Sequence, residues 1–389
     1  MTGPARVAVI GANGHGRWHR RVIAPLHAAG RVRLVALVDV QPVQDDPDAP
    51  VPPEVGVFTD HRAMLADARP DVVVICTPPH THLPIARDAL AAGADLLLEK
   101  PPVLSLAEHD ELTGALADAG RVAQVGFQAL GSAALTALTD ALAAGRLGTV
   151  TGIATVAAWQ RPDAYYARSP WAGRRTLDGR PVLDGALANP LAHAVMQCLA
   201  VAESLGGTPP WPVTIEVERY RVRPIEVEDT AVLRVGFRAA PPVLAAVTLA
   251  AEEFVAGEVM VTGTAGHAVL EYPTDRLRLP GDAVTRRVPG RRGLLENLLA
   301  HRADPLGVPL IAPLARTAPF TALLDALRAA PEPRLLDGDL VAAVGDGTER
   351  VRHLRGVVEV LRRSAEQGLL PSELAVPWAV PAYRAKLAG

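Results

Sequence analysis

The feature that most constrains this chain is a short apolar run at 7–10 that breaks directly into Gly11-Ala12-Asn13-Gly14-His15-Gly16. Such a run, ended by glycines, reads as a buried strand turning sharply into a helix. The pattern then repeats. Apolar runs at 33–39, 71–76, 94–98 and 122–125 alternate with helical stretches at 17–29, 83–92 and 106–117. Strands alternating with helices predict an α/β class with a doubly wound parallel sheet. A dinucleotide-binding turn wants glycine at the first, third and sixth places after its strand. Gly11 and Gly16 hold the first and sixth, while Asn13 takes the third and Gly14 follows it. Asparagine tolerates positive φ better than most residues, so the turn is expected to form. The helix start, with Gly14 and His15, would then offer N–H groups to a pyrophosphate.

The second strand ends on Asp39, a little over 20 residues past the glycines, where a carboxylate accepts from ribose hydroxyls and repels a 2′-phosphate. No arginine follows at 40–44. NAD is therefore expected, with NADP disfavoured. Ligands on such a sheet lie at the carboxyl ends of the strands. That gathers Thr77, Pro78, His80 and His82 with Glu99, Lys100 and Pro101 around the glycine turn. His80 and His82 lack neighbouring acids or thiols, so no metal site is expected, and His82 is read as fixing the loop beneath the cofactor. The stretch 41–56 is a Pro/Asp loop with no assigned chemistry.

Glu99-Lys100-Pro101-Pro102 closes the apolar run at 96–98. Of 39 lysines and arginines only Lys100 and Lys386 are lysine. Where arginine serves for nearly every positive charge, a retained lysine marks a place that needs an ammonium able to give up its proton, which a guanidinium cannot do. Lys100 is the candidate catalytic residue.

At 389 residues two domains are expected: a Rossmann domain at 1–125, and an α+β domain at 126–389 for substrate binding and oligomerisation, with terminal helices at 349–389 closing it. Net charge −3 gives no basic field for nucleic acid. Two cysteines imply no disulfide framework. No leader and no membrane-length apolar run are read, so a cytoplasmic protein is expected. Beyond 149 the runs lengthen into successive strands, predicting a mostly antiparallel sheet with one face on its helices and the other free for a partner subunit. The 161–181 loop carries Tyr165, Arg168 and Trp171, whose rings and guanidinium suit the faces and hydroxyl edges of a sugar.

In this order, Gly11…Gly16-x-x-His19, Thr77-Pro78-x-x-x-His82 and Glu99-Lys100-Pro101 resemble the glucose–fructose oxidoreductase and inositol dehydrogenase (Gfo/Idh/MocA) family. Weaker echoes follow at Gly126-Phe127-Gln128, Tyr165-Tyr166-x-Arg168-Ser169-Pro170-Trp171 and Glu228-Asp229-Thr230. The resemblance implies an N-terminal Rossmann domain and a second domain whose open-faced sheet often forms the oligomer interface, giving a homodimer or tetramer. It implies hydride transfer between a nicotinamide cofactor and a secondary hydroxyl of a sugar, cyclitol or sugar derivative. Glu99 would contact the nicotinamide ribose, Lys100 the reacting hydroxyl, and Gln128 the substrate, with Lys100–Pro101 often cis. The family places an acid four residues before a helical histidine. His193 matches, but Asn189 stands where the acid would be. An amide holds a hydroxyl without taking its proton, so Lys100 and His193 would share the proton work. Asp184 is the candidate replacement acid, and Asn189-Pro190 also reads as a helix cap and first-turn pair. Two rivals remain: an enzyme with tightly held NAD that cleaves a glycoside by transient oxidation and elimination, and a non-catalytic dinucleotide sensor.

Overall fold

The computed structural model describes residues 3–387, which divide into two compact units. The first runs to Phe127 and takes back Gly293–Thr317; the second comprises Gln128–Arg292 and what is described from Ala318 onward. The expectation of one continuous domain over 126–389 is thus corrected for 293–317.

In the first unit β1 (Ala5–Ile10) leads to α1 (Gly16–Ala28), β2 (Val32–Val38), β3 (Gly56–Phe58) and α2 (His61–Ala68). There follow β4 (Val72–Ile75), α3 (His82–Ala91), β5 (Asp95–Leu98), α4 (Leu106–Ala119) and β6 (Ala123–Val125). The six strands form one parallel sheet in the order β3-β2-β1-β4-β5-β6. Val72, Val73, Val74 and Ile75 are fully buried, as strands covered on both faces must be. Helix starts are chemically fixed: Asp60 accepts the Ala63 N–H at 2.8 Å. Ser105 accepts the Glu108 N–H at 3.2 Å, and Glu108 reaches back to the Leu104 N–H at 3.0 Å. Each such cap stabilises by about 0.5–2 kcal/mol. Strand order reverses at β1/β4, so the segments after β1, β2, β4 and β5 emerge on one edge.

The second unit opens with α5 (Ala133–Ala143), β7 (Val150–Gln160), α6 (Asp163–Ala167), the small hairpin β8 (Thr176–Leu177)–β9 (Arg180–Pro181) and α7 (Ala192–Gly206). Strands β10 (Pro212–Arg221), β11 (Thr230–Phe237), β12 (Val243–Thr248), β13 (Ala250–Gly263), β14 (Gly266–Glu271), β15 (Arg276–Arg278) and β16 (Arg286–Arg287) follow. Next, α8 (Leu294–Ala303) belongs to the first unit. The chain returns through α9 (Ala318–Ala329), β17 (Arg334–Leu335), the hairpin β18 (Val341–Val344)–β19 (Val351–Leu354), α10 (Val357–Gln367) and β20 (Tyr383–Lys386). The large sheet runs β16-β15-β14-β13-β7-β12-β11-β10-β17, with β20 also on β10. It is mostly antiparallel, as expected; β7–β12 and β10–β17 are its parallel pairs.

Two expectations for this sheet need correcting. Its second face is covered in part: α7 and α10 both pack on β7, β12 and β13, while Glu258, Met260, Val269 and Glu271 stay half-exposed. Ala154, Val156 and Ala158 of β7 share one buried cluster with Val232, Leu244, Ala246 and with Val357, Val358, Leu361 and Ala365 of α10. The terminal region is also not purely helical, because Val351–Leu354 pairs in a hairpin and Tyr383–Lys386 adds a strand to β10.

The returning segment is held to the first unit by few but buried contacts. Leu294, Leu295 and Leu298 of α8 join Val7, Val9, Val74 and Leu97 in one core. Gln124, fully buried, donates to Asn297 Oδ1 at 2.6 Å and accepts the Ala312 N–H at 2.8 Å. Arg302 pairs with Asp95. No helix among the described residues is long and apolar enough to cross a membrane.

Candidate functional site

In the first unit the turn after β1 is built by close approach. Gly11 takes φ +83°, and a Cβ there would stand 2.9 Å from the Cys76 carbonyl. A Cβ on Gly16 would meet the Gly11 carbonyl oxygen at 1.8 Å. Positive φ falls on Gly11 and Gly14, not on Asn13, so Asn13 is there for its side chain. Its Nδ2 donates to the Pro42 carbonyl at 3.1 Å and its Oδ1 accepts the Gln44 N–H at 2.9 Å. Asp39 accepts the Asn13 N–H at 2.9 Å and the Gln41 N–H at 3.0 Å. The 41–56 stretch is thus a tethered loop. Arg20, 2% exposed, donates to the Gln44 and Ala49 carbonyls, and Arg21 grips Asp46 through two bonds.

His82 is a buried strut. Its Nδ1 faces the Pro101 and Pro102 carbonyls at 3.0 and 3.1 Å, and its Nε2 the Thr77 carbonyl at 2.8 Å. Burial pushes its pKa down, against the pull of those carbonyls. The ring ties the loop after β4 to the loop after β5, and both nitrogens are engaged in doing so. Thr81 donates to Thr77 Oγ1 at 2.7 Å. Thr77, Pro78 and His80 are half-buried on the same loop.

Glu99 lies at the end of β5 and is 6% exposed. His19 Nε2 donates to its Oε1 at 2.8 Å, His15 Nε2 stands 3.4 Å from the same oxygen, and the Lys100 N–H donates to Oε2 at 3.1 Å. Burial opposes its charge, but the His15 and His19 hydrogen bonds outweigh burial and hold the carboxyl well below the usual range. Gly126 leaves room for it: a Cβ there would be 2.7 Å from the carboxylate. Lys100 follows, half-buried, through a cis bond to Pro101. The meeting of His15 with Glu99 was not foreseen, although the His15–His19 spacing of four residues was open to view.

In the second unit five expected residues form one network. Arg168 lies over the Tyr165 ring at 3.7 Å and the Trp171 ring at 4.7 Å. It donates to both oxygens of Asp184 at 3.1 and 2.8 Å. Asp184, 3% exposed, also accepts the Gly173 N–H at 2.9 Å and Asn189 Nδ2 at 2.6 Å. With four hydrogen bonds from three donors on its two oxygens, Asp184 is a brace and not the replacement acid the sequence offered. Helix α7 starts at Ala192 with Leu191 as its cap. Asn189 therefore does not cap it with its side chain, and that expectation is corrected too. His193 is the second residue of α7, and Gln128 opens a 3-10 turn, Gln128–Gly131. Glu228 and Asp229 serve the backbone, accepting the Leu187 and Val222 N–H groups. A cavity of about 430 Å³ beside this loop is lined by Tyr166, Ser169, Arg174, Arg223 and Arg352 among others; Asp184, Asn189 and His193 are not part of its wall.

A parallel sheet whose switch point carries a tight glycine turn, with a carboxylate at the end of β2, defines a Rossmann dinucleotide-binding unit. Residues 5–127 match the GFO_IDH_MocA family, described as an oxidoreductase family with an NAD-binding Rossmann fold. It is 31% identical over 129 residues to D-glucoside 3-dehydrogenase of Escherichia coli K12, covering 32% of this chain and 35% of that one. It is 31% identical over 140 residues to inositol 2-dehydrogenase of Paracoccus denitrificans, covering 36% and 41%. The matched stretch thus spans well under half the length of these relatives. The fold as a whole is similar to the WlbA dehydrogenase from Bordetella pertussis, solved with NADH and UDP-GlcNAcA, at TM-score 0.69 and 22% identity, covering 86% of this chain and 100% of that one.

The turn is tight enough to test directly. Gly16→Ala puts a methyl group against a backbone carbonyl that has nowhere to move. Calorimetry with NAD⁺ is expected to show binding lost, while near-UV circular dichroism from the tryptophans of the second unit stays native.

Proposed function

We propose that this protein transfers a hydride between NAD and a secondary hydroxyl of a sugar, cyclitol or sugar derivative. The observation that carries the reading is the Glu99–Lys100 strand end. An anchored carboxylate and a half-buried lysine stand at the ligand edge of a sheet that also presents the glycine turn and Asp39. The bound nicotinamide supplies the hydride acceptor or donor. Glu99, fixed at both oxygens, orients the ribose beside that ring; Gly11, Gly14, His15 and Gly16 receive the pyrophosphate. Asp39 holds the adenosine ribose and disfavours a 2′-phosphate, so NAD is preferred over NADP. Asn13 supports this choice by pinning the 42–44 loop beside Asp39.

As the carbinol C–H leaves with its electron pair, the hydroxyl proton passes to Lys100 or His193, and a carbonyl forms; reduction runs the same exchange backwards. Asn189 positions a hydroxyl and takes no proton. Tyr165, Arg168 and Trp171 form the sugar-facing wall. A homo-oligomer, dimer or tetramer, through the C-terminal sheet belongs to the same reading.

Incubation with NAD⁺ or NADP⁺ against cyclitols, aldoses, glycosides and sugar nucleotides tests the reading, followed by cofactor absorbance and product mass. NADH formed in step with a ketone product supports it. Glycoside cleavage without accumulating NADH would favour oxidation and elimination instead, and binding without any turnover a sensor.

Asp184→Ala separates bracing from chemistry. Removing this carboxylate leaves the Gly173 N–H and the Asn189 amide without their acceptor and is expected to cost about 1–3 kcal/mol, read as a lower urea midpoint. An unchanged midpoint with lost turnover would return Asp184 to the reacting groups.

A further inference from the structure

We propose that the cavity beside the 161–181 loop binds a small organic anion by its oxyanion group, a carboxylate or a phosphate. Its volume is about 430 Å³, and its wall comes from α6 and the turns after it, from residues 223–226 between β10 and β11, and from Arg352 of β19. Backbone bonds fix these segments to one another. The Asp163 N–H donates to the Arg350 carbonyl at 2.8 Å, and the Glu226 N–H to the Gly173 carbonyl at 2.9 Å. One positive charge on the wall is balanced internally. Arg223, whose side chain is 2% exposed, stands 3.2 Å from Asp163 and 3.5 Å from Asp229, and donates to the Arg161 carbonyl at 2.7 Å. The other two guanidiniums are held loosely. Arg174 reaches Glu226 at 3.5 Å, and Arg352 reaches Asp163, already engaged by Arg223, at 3.5 Å.

What the wall lacks is acceptors. Buried polar atoms are ordinarily hydrogen-bonded, yet Tyr166 Oη and Ser169 Oγ, on two residues that line the cavity, are shielded from solvent and find no partner among the described residues. Arg352 Nε, equally shielded, makes no hydrogen bond either. All three atoms donate, and a guanidinium N–H can do nothing else. Burial, with the charge of Asp229 next, pushes the Tyr166 phenol well up, so it keeps its proton. The acids are answered already: Asp163 by Arg223 and Arg352, Glu226 by Arg174 and by the Arg175 N–H at 3.0 Å. The wall therefore calls for oxygen acceptors and not for a cation. Pro170, Ala172, Pro224 and Ile225 add apolar surface, and the volume falls in the range of pockets for small organic molecules, more than a bare ion needs. Asp184, Asn189 and His193 lie outside this wall. The pocket asks nothing of the hydride-transfer reading and stands or falls apart from it.

The test titrates the full chain by calorimetry with inorganic phosphate and, separately, with malonate, keeping NAD⁺ present throughout so that neither anion reports on the glycine turn. One saturable site per chain is expected for at least one probe; phosphate alone assigns a phosphate ligand, and malonate alone a carboxylate. The double variant Tyr166→Phe/Ser169→Ala removes two hydroxyls that bond to nothing inside the protein, so its thermal midpoint should not fall. Its affinity for the anion should drop at least about tenfold, the loss expected for hydrogen bonds to a charged group. Arg286→Gln, which changes an exposed arginine on β16, should bind as the native chain does. No saturable binding of either anion by the native chain, or equal binding by the double variant, overturns the proposal.

Discussion

Lys100→Met is expected to lower turnover by about 10²–10⁴-fold while leaving the dissociation constant for NAD⁺ near its native value, the range typical for losing a positioned acid or base. Methionine keeps the length of the side chain and removes the proton carrier. The backbone at this point is set by buried neighbours, Leu96, Leu97 and Leu98 all being 2% exposed or less, and by the Lys100 N–H on Glu99. The effect should therefore appear in kcat and not in folding. Lys100→Arg is the sharper companion, because it keeps the charge and loses the labile proton. In a chain that uses arginine at almost every cationic position, an arginine variant as slow as the methionine variant would show why lysine is retained here. Single-turnover kinetics with the active substrate decide the matter; near-native rates in either variant would remove Lys100 from the chemistry.

Leu361→Ala is expected to destabilise the second unit by about 2–5 kcal/mol, as large-to-small changes in filled cores do. Leu361 is fully buried between α10 and the sheet, among Ala154, Val156, Val232, Leu244 and Ala246. Several of those partners are alanine, with little freedom to expand into the space left behind. Hydrogen exchange reads the result locally: amides of β7 and β12 should lose protection while those of β1 and β4 keep theirs. Unchanged protection in β7 would mean that α10 contributes little to holding that face.

The first unit was legible because its strands are covered on both faces. Residues 71–76 and 96–98 are unbroken apolar runs, and glycines mark the turns between strand and helix. β3 and α2 escaped notice because Gly56–Phe58 is three residues long and only partly buried, and nothing local distinguishes it from the Pro/Asp loop before it. The destination of α8 could not be read. An amphipathic helix announces that one face will be covered and does not say by which sheet, and the side chains that decide are Gln124 and Asn297, 173 residues apart. The covered sheet face was missed for a related reason: alternating small residues such as Ala154, Val156 and Ala158 suit a partner subunit and the chain's own helix equally well. At the site, the sequence named Asp184, Asn189, Arg168, Tyr165 and Trp171 without showing that they hold one another. A carboxylate's role depends on how many donors reach it, and three reach Asp184 through four hydrogen bonds. The three asparagines tell the same story. In a chain nearly without the residue, Asn13, Asn189 and Asn297 each supply a bond from an amide side chain.

The return of Gly293–Thr317 to the first unit has a consequence for the newborn chain. Gln124 and Leu294 are 170 residues apart, which at about 5–20 residues per second is roughly 10–30 s of synthesis. Late in that interval all six strands of the parallel sheet have left the ribosome, while the patch that Leu294, Leu295 and Leu298 will cover stays bare. A ribosome stalled before residue 293 would therefore display a sticky strip containing Val7, Val9 and Leu97. That strip is a natural landing place for a holdase chaperone.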